Sequence, residues 1–167
     1  MIRSKEFAKK RLMFIQKEDY NYLAFNLLII LKKLDCTNES KKFKDFKRIA
    51  YLIEFMTTTK DIKNYYSIEL SNIYLRAQLK KKLLSHLILI LKNKGIIEVS
   101  ANSKYRTLDI WINLDMVPKC FFDKDYFQRE FANLEMIKTY TKLTKVSLIK
   151  TLVDDLFTNK GVSTWEI

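Results

Sequence analysis

The stretch LLSHLILILKNKGIIEVSANSKYRTLDIWIN, residues 83–113, changes its hydrophobic period within a few turns of chain. It begins as an apolar run, breaks at Gly95, and resumes as two short β-like segments around a polar turn. Upstream, Leu75, Leu79, Leu83, Leu87 and Leu91 recur every fourth residue, flanked by Leu84, Ile88 and Ile90. That spacing predicts a long helix, capped by Ser71 or Asn72 and running to Lys94. Gly95 stands where a helix of this extent needs a left-handed residue to close its last carbonyls. Beyond it, Ile96–Val99 and Arg106–Asn113 read as strands. In the second, Leu108, Ile110 and Ile112 alternate with Thr107, Asp109 and Trp111, the period of a half-buried strand. Residues 100–104, SANSK, are the expected hairpin loop.

Working towards the N-terminus, residues 67–71, SIELS, read as a short strand or a turn, and residues 57–64 as a connector. A helix is expected over about 40–58, capped by Asn38 or Ser40, because Phe43, Phe46, Ile49, Ala50, Ile53 and Met56 fall on one helical face. Another is expected over about 20–34, where Tyr20, Leu23, Leu27, Leu28, Ile30 and Leu31 make a broad apolar face suited to deep burial. Residues 1–19 mix six basic with three acidic residues and read as a basic arm or a short amphipathic helix. Towards the C-terminus, Val117 and Pro118 end the ribbon. A helix from Asp123 to about 141 would bury Tyr126, Phe127, Phe131, Leu134, Ile137 and Tyr140. A last one, over about 144–159, would bury Leu148, Ile149, Leu152, Val153, Leu156 and Phe157 before Gly161 stops it.

The order is therefore α–α–(short β)–α–β–β–α–α. This is a mainly α chain of the α+β class: a winged-helix-like core with a two-stranded β wing, and a C-terminal helical pair. Residues 20–116 would form the winged-helix-like domain and residues 117–167 the helical extension. Two glycines and one proline in 167 residues leave too few breakers for an all-β fold. With 48% hydrophobic and 13% aromatic residues, the chain can bury a sizeable core.

Catalytic chemistry is not expected. His86 is the only histidine and sits within LLSHLIL, where a core or boundary imidazole is the simpler reading. With Cys36 and Cys120 lying 84 positions apart, a zinc site of the usual spacing is not available. Two glycines exclude a Gly-rich phosphate cradle. Asp154 and Asp155 are adjacent, so on a helix they diverge by about 100° and do not converge on a metal. Asp109 and Asp115 read as solvated strand ends. No catalytic residue, metal ligand or cofactor is expected. The unpaired cysteines suit a reducing cytoplasm, and no apolar run approaches the ~20 residues that span a bilayer.

The charge carries more information. The formal net charge is +12, and residues 76–106 hold eight cations against one acid, Glu98. Arg76, Lys80, Lys81 and Lys82 on the helix, with Lys104 and Arg106 on the wing, are therefore candidates for contact with the phosphate backbone of double-stranded DNA. Only six of the 31 basic residues are arginine, the usual reader of guanine edges, so sequence-specific readout is not implied. Trp111, Trp165, Phe121 and Phe122 are the candidates for docking a protein partner. Backbone DNA contact, protein docking and free-standing regulation all remain open at this point.

The N-terminal pattern YLAFNLLIIL (22–31), then KDFKRIAYL (44–52), precedes the winged unit, and two helices follow it, the second opening with KVSLIK (145–150). This layout, over most of residues 20–160, resembles the small middle or accessory subunit of three-component bacterial anti-phage systems built around an ABC- or SMC-like ATPase, the Lamassu group included. The resemblance implies a non-enzymatic subunit held against the ATPase beside a separate effector, often a nuclease, with DNA sensed by the whole assembly. The alternative is a free-standing winged-helix DNA-binding regulator, or a phage or plasmid replication protein.

Overall fold

A computed structural model describes residues 20–57, 61–123, 127–138 and 148–165. Three chain reversals, each built on a left-handed residue, give the fold its corners: Asp35 (φ 58°), Gly95 (φ 74°) and Gly161 (φ 83°). Helix α1, residues 20–33, closes as the Asp35 N–H donates to the Lys32 carbonyl and the Cys36 N–H to that of Leu31. Helix α3, Ser67–Asn93, closes in the same way at Gly95, whose N–H reaches the Lys92 carbonyl while the Ile96 N–H reaches that of Leu91. This double bond pattern is the Schellman motif, so the Gly95 expectation holds at the level of individual bonds.

Strands β1, Ile97–Asn102, and β2, Thr107–Ile112, then form an antiparallel ribbon with Ile97 opposite Ile112 and Asn102 opposite Thr107. The ribbon is longer than expected, because Ser100–Asn102 belong to β1 and the turn falls on residues 103–106. The turn closes on Arg106 at φ 52°. The chain between α1 and α2 runs along the free edge of β2. Phe43 and Ile110 exchange both backbone hydrogen bonds (2.8 and 3.0 Å), and the Ile112 N–H donates to the Cys36 carbonyl. That covers an edge which would otherwise offer unpaired backbone groups.

Two expectations need correction here. The helix expected over 40–58 is α-helical only as α2, Ile49–Met56, preceded by 3₁₀ turns at Glu39–Lys41 and Phe46–Arg48. Asp45 at φ 55° interrupts it, yet Phe43, Phe46, Ile49, Ala50, Ile53 and Met56 are all buried. A 3₁₀ turn has a period of three, so an i, i+3 apolar row survives the change of backbone. Residues 67–71 are not a strand but the first turn of α3, because the Glu69 carboxylate accepts the Tyr66 N–H (2.9 Å) and satisfies one of the helix's free donors. The extended element between helices therefore lies at Phe43, one connection earlier than expected.

The fold is mainly helical, with α1, α2, α3, α4 (Gln128–Lys138) and α5 (Ile149–Leu156) around the single two-stranded sheet among the described residues. All eight residues of α2 are buried, and α2 packs against both α3 and α4. On α4, Asn133 donates to the Met56 carbonyl (2.6 Å), one of the acceptors that the end of α2 leaves open. Leu134 and Ile137 of α4 and Leu152, Val153 and Leu156 of α5 join the same buried cluster as α1, α2 and α3. The expected basic arm, residues 1–19, lies outside the described residues, as do Tyr126 and Tyr140.

Cys36 follows the α1 reversal and is 7% exposed; burial pushes its thiol up to about 11, against a smaller opposing pull from Arg48. Cys120 is exposed. At pH 8, iodoacetamide is therefore expected to label Cys120 quickly and Cys36 only on unfolding, which peptide mass mapping checks. Equal rates at both would mean that Cys36 is accessible.

Candidate functional site

The leucine row of α3 is the starting point. A step of four residues advances about 40° beyond one full turn, so five leucines at that spacing swing through roughly 160°. Leu75 (48% exposed) and Leu79 (66%) accordingly face solvent, Leu83 is half-buried, and Leu87 and Leu91 lie in the core. A second row at heptad-like spacing, Ile68, Leu75, Leu79, Lys82, His86 and Leu89, follows the outer side of the helix. Ile68, Leu75, Leu79 and Leu89 on that row are all exposed large aliphatics, with Ile90 beside them. His86 is exposed on it, correcting the core or boundary expectation. The run LLSHLILIL is likewise buried only through Leu84, Leu87, Ile88 and Leu91.

The six candidate DNA-contact cations separate into three groups. Arg76 and Lys80 both reach Glu54 on α2: the Arg76 Nε donates to Glu54 Oε2 (2.8 Å), and the Lys80 ammonium pairs with Oε1. Glu54 is 2% exposed, so these two cations neutralise a buried carboxylate between α2 and α3. Lys81 donates to Gln78 Oε1 (3.1 Å) and lies 4.9 Å from the centroid of the Tyr51 ring. Lys82 is exposed on the outer row. Lys104 and Arg106 are exposed at the hairpin turn, where the Lys104 ammonium sits over Tyr105. The six cations thus differ in what engages them.

Two recesses flank the Leu79 ridge. One, of about 290 Å³, is lined by Tyr22, Leu23, Arg76, Leu79, Lys80 and Leu83. The other, of about 310 Å³, is lined by Lys47, Gln78, Leu79, Lys81, Lys82, Ser85 and Trp165. Trp165 is carried there by the C-terminal tail. Its N–H donates to the Tyr74 hydroxyl (3.0 Å), which in turn donates to the Trp165 carbonyl, and its indole stands edge-on to the Tyr74 ring at 5.2 Å.

The aromatic docking candidates differ in availability. Trp165 is 45% exposed, while Trp111 is half-buried opposite Glu98. Phe121 and Phe122 are half-buried; Phe121 packs on Phe25 (5.4 Å) and Phe127 (5.7 Å), and Phe122 on Phe121 (5.0 Å). Their rings hold the segment after β2 against α1.

Asp109 corrects the expectation of a solvated strand end, because it is 1% exposed. Its carboxylate accepts the Asp45 N–H (3.0 Å) and the Asn102 amide (3.2 Å), with Lys42 at 3.6 Å. Arg48, 3% exposed, donates to the Lys44 carbonyl and covers the Phe43 ring; burial draws its guanidinium down to about 10 against the pull of Asp45, Cys36 and Asp109. The Asp45 and Lys42 contacts to Asp109 fasten the chain before α2 to the ribbon.

Among the described residues, no group of three or more His, Cys, Asp or Glu side chains could hold a metal ion. No described helix is long and apolar enough to cross a membrane. No family model, curated protein or solved structure matches the chain. Sequence reading missed the outward aliphatic row, Lys47 and Glu54. The row was available as the seven-residue spacing of Ile68, Leu75 and Leu89 around Lys82; the other two needed the tertiary fold.

Proposed function

We propose that this chain is a non-catalytic, winged-helix-type accessory subunit of a bacterial anti-phage assembly, docked against an SMC- or ABC-like ATPase beside a nuclease-class effector. Its hairpin would add contacts to the backbone of double-stranded DNA, and the assembly would be cytoplasmic. The order α1, bridge at Phe43, α2, α3, β1, β2 supports the winged-helix part, since it is the helix–strand–helix–helix–strand–strand succession of that architecture. The observation that carries the functional part is the outward aliphatic row of α3, exposed at Ile68, Leu75, Leu79 and Leu89.

In a winged helix that reads bases, the third helix offers polar and basic side chains to the major groove. Here that helix offers aliphatics, and two of its cations are engaged by Glu54. Exposed aliphatics in a row are better matched by a protein surface. The hairpin is the more available cationic element, through Lys104 and Arg106.

Two measurements test the proposal. Co-expression with the neighbouring reading frames is expected to bring down a coiled-coil ATPase with this chain, and Leu75→Glu with Leu79→Glu to reduce that recovery by about tenfold or more. Recovery of the chain alone, or a complex indifferent to both substitutions, overturns the docking reading. Lys104→Glu with Arg106→Glu is expected to lower the slope of log affinity for duplex DNA against log salt by about two in the complex. An isolated chain that protects one repeated or palindromic sequence would instead favour the free-standing regulator.

A further inference from the structure

We propose that the element docking on the outer row of α3 is a single amphipathic helix in coiled-coil register, aliphatic along its seam except for one carboxylate that meets Lys82. This names the partner's contact element and rests on the docking reading above.

On α3 the exposed positions Leu75, Leu79, Lys82, His86 and Leu89 step by four and three residues in turn, and Ile68 and Asn72 carry the same alternation upstream. Steps of four and three average about 3.5 residues, the repeat of a two-helix seam. A solvated helix face repeats at nearly this interval, but it is normally polar. Here Ile68 (72% exposed), Leu75, Leu79 and Leu89 occupy it. From Ile68 to Leu89 the row runs roughly 32 Å, the length of about three heptads. A second helix laid along the row meets these side chains in the same steps, which an extended segment or a loop does not.

Lys82 sits inside that row, between Leu79 and Leu89, and among the described residues no acid forms an ion pair with it. Glu54 is engaged by Arg76 and Lys80. Glu69 accepts the Tyr66 N–H, about 20 Å from Lys82 along the helix. Glu166 follows Trp165 and lies outside the described residues. Covering the row takes Lys82 out of water, and a covered ammonium needs a carboxylate. A second copy of this chain does not supply one. Paired in parallel it sets Lys82 against Lys82; paired antiparallel about the row's centre it sets Leu79 against Lys82 and Leu75 against His86. The net charge of +12 opposes that approach as well. A different helix with an Asp or Glu in its seam removes both difficulties, and the resulting pair would fix register and partner choice.

The probes are two fluorescein-labelled helical peptides of about four heptads, with leucine along the seam. One carries Glu and the other Lys at the central seam position, and outward residues balance each to zero net charge. Anisotropy with the full-length chain is expected to show the Glu peptide binding about tenfold or more tighter than the Lys peptide. Lys82→Glu is expected to reverse that preference, and Glu166→Gln to leave it unchanged. Leu75→Glu with Leu79→Glu is expected to weaken both peptides, and circular dichroism confirms that the variants fold. Binding of neither peptide, equal binding of both, or a preference that Lys82→Glu does not reverse would overturn the proposal. A preference that appears only with Glu166→Gln would assign Lys82 to the tail's own carboxylate and overturn it too. So would a chain that sediments alone as a dimer and becomes monomeric with Leu75→Glu, which gives the row to a second copy. An ATPase complex lost with the leucine substitutions but indifferent to Lys82→Glu keeps the docking reading and overturns only the acid-bearing helix.

Discussion

Phe157→Ala is expected to destabilise the protein by about 3–5 kcal/mol, the range for removing a large buried aromatic. For a chain of this size that lowers the thermal midpoint by roughly 10 °C, readable by circular dichroism. Phe157 is fully buried and sits at the end of α5 among Tyr51 (5.5 Å) and Phe55 (6.1 Å) of α2 and Tyr74 (5.2 Å) of α3. Removing the ring leaves a cavity bounded by three aromatics whose own positions depend on one another, which limits collapse. Phe157 also ends the chain's last reversal, since the Val162 N–H donates to its carbonyl. The variant should therefore loosen the Tyr74–Trp165 contact and change the tryptophan emission before global unfolding. Phe157→Leu keeps most of the volume and is expected to lose under half as much. A thermal shift of only a degree or two for the alanine variant would mean that α5 is not part of the cooperative core.

What could be read in advance follows the range of the interactions involved. Gly95 and the two strands after it were legible because their chemistry is local, one left-handed residue followed by short alternating segments. The alternation holds for burial only at Ile110 and Ile112, since Leu108 is 37% exposed. The apolar set of Phe43 to Met56 was legible as a buried set but not as backbone. Helical and 3₁₀ periods both satisfy it, and the bridge between Phe43 and Ile110 spans residues far apart in the chain. Asp109 was misread because alternation assigns a side of the strand, whereas Asp45 and Asn102 supply the partners that allow a carboxylate to be buried there. The cation cluster in residues 76–106 was counted correctly, but the fold assigns its members to different partners. Glu54 engages two of its members from another helix, and Lys47 joins two others from outside the segment.

That redistribution sets the second large expected effect. Arg76→Ala with Lys80→Ala should cost about 3–5 kcal/mol, because it leaves Glu54 as a buried carboxylate without its two ammonium and guanidinium partners. Removing one partner alone should be milder. Arg76 keeps 54% of its side-chain exposure and Lys80 22%, so either can be partly replaced by the other or by water. The informative comparison is the triple variant that adds Glu54→Ala. Deleting the acid together with both bases removes the uncompensated charge and should recover much of the loss, so the triple variant is expected to be more stable than the double in urea denaturation. A triple variant no more stable than the double would show that the long side chains matter by packing rather than by charge. The same reasoning governs any charge-reversal test of DNA contact. Glu at Arg76 or Lys80 would set a second carboxylate against Glu54 and unfold the α2–α3 contact, so loss of DNA binding there would report on folding. Lys104 and Arg106, exposed at the hairpin, are the positions where reversal tests the proposed phosphate-backbone contact without touching Glu54.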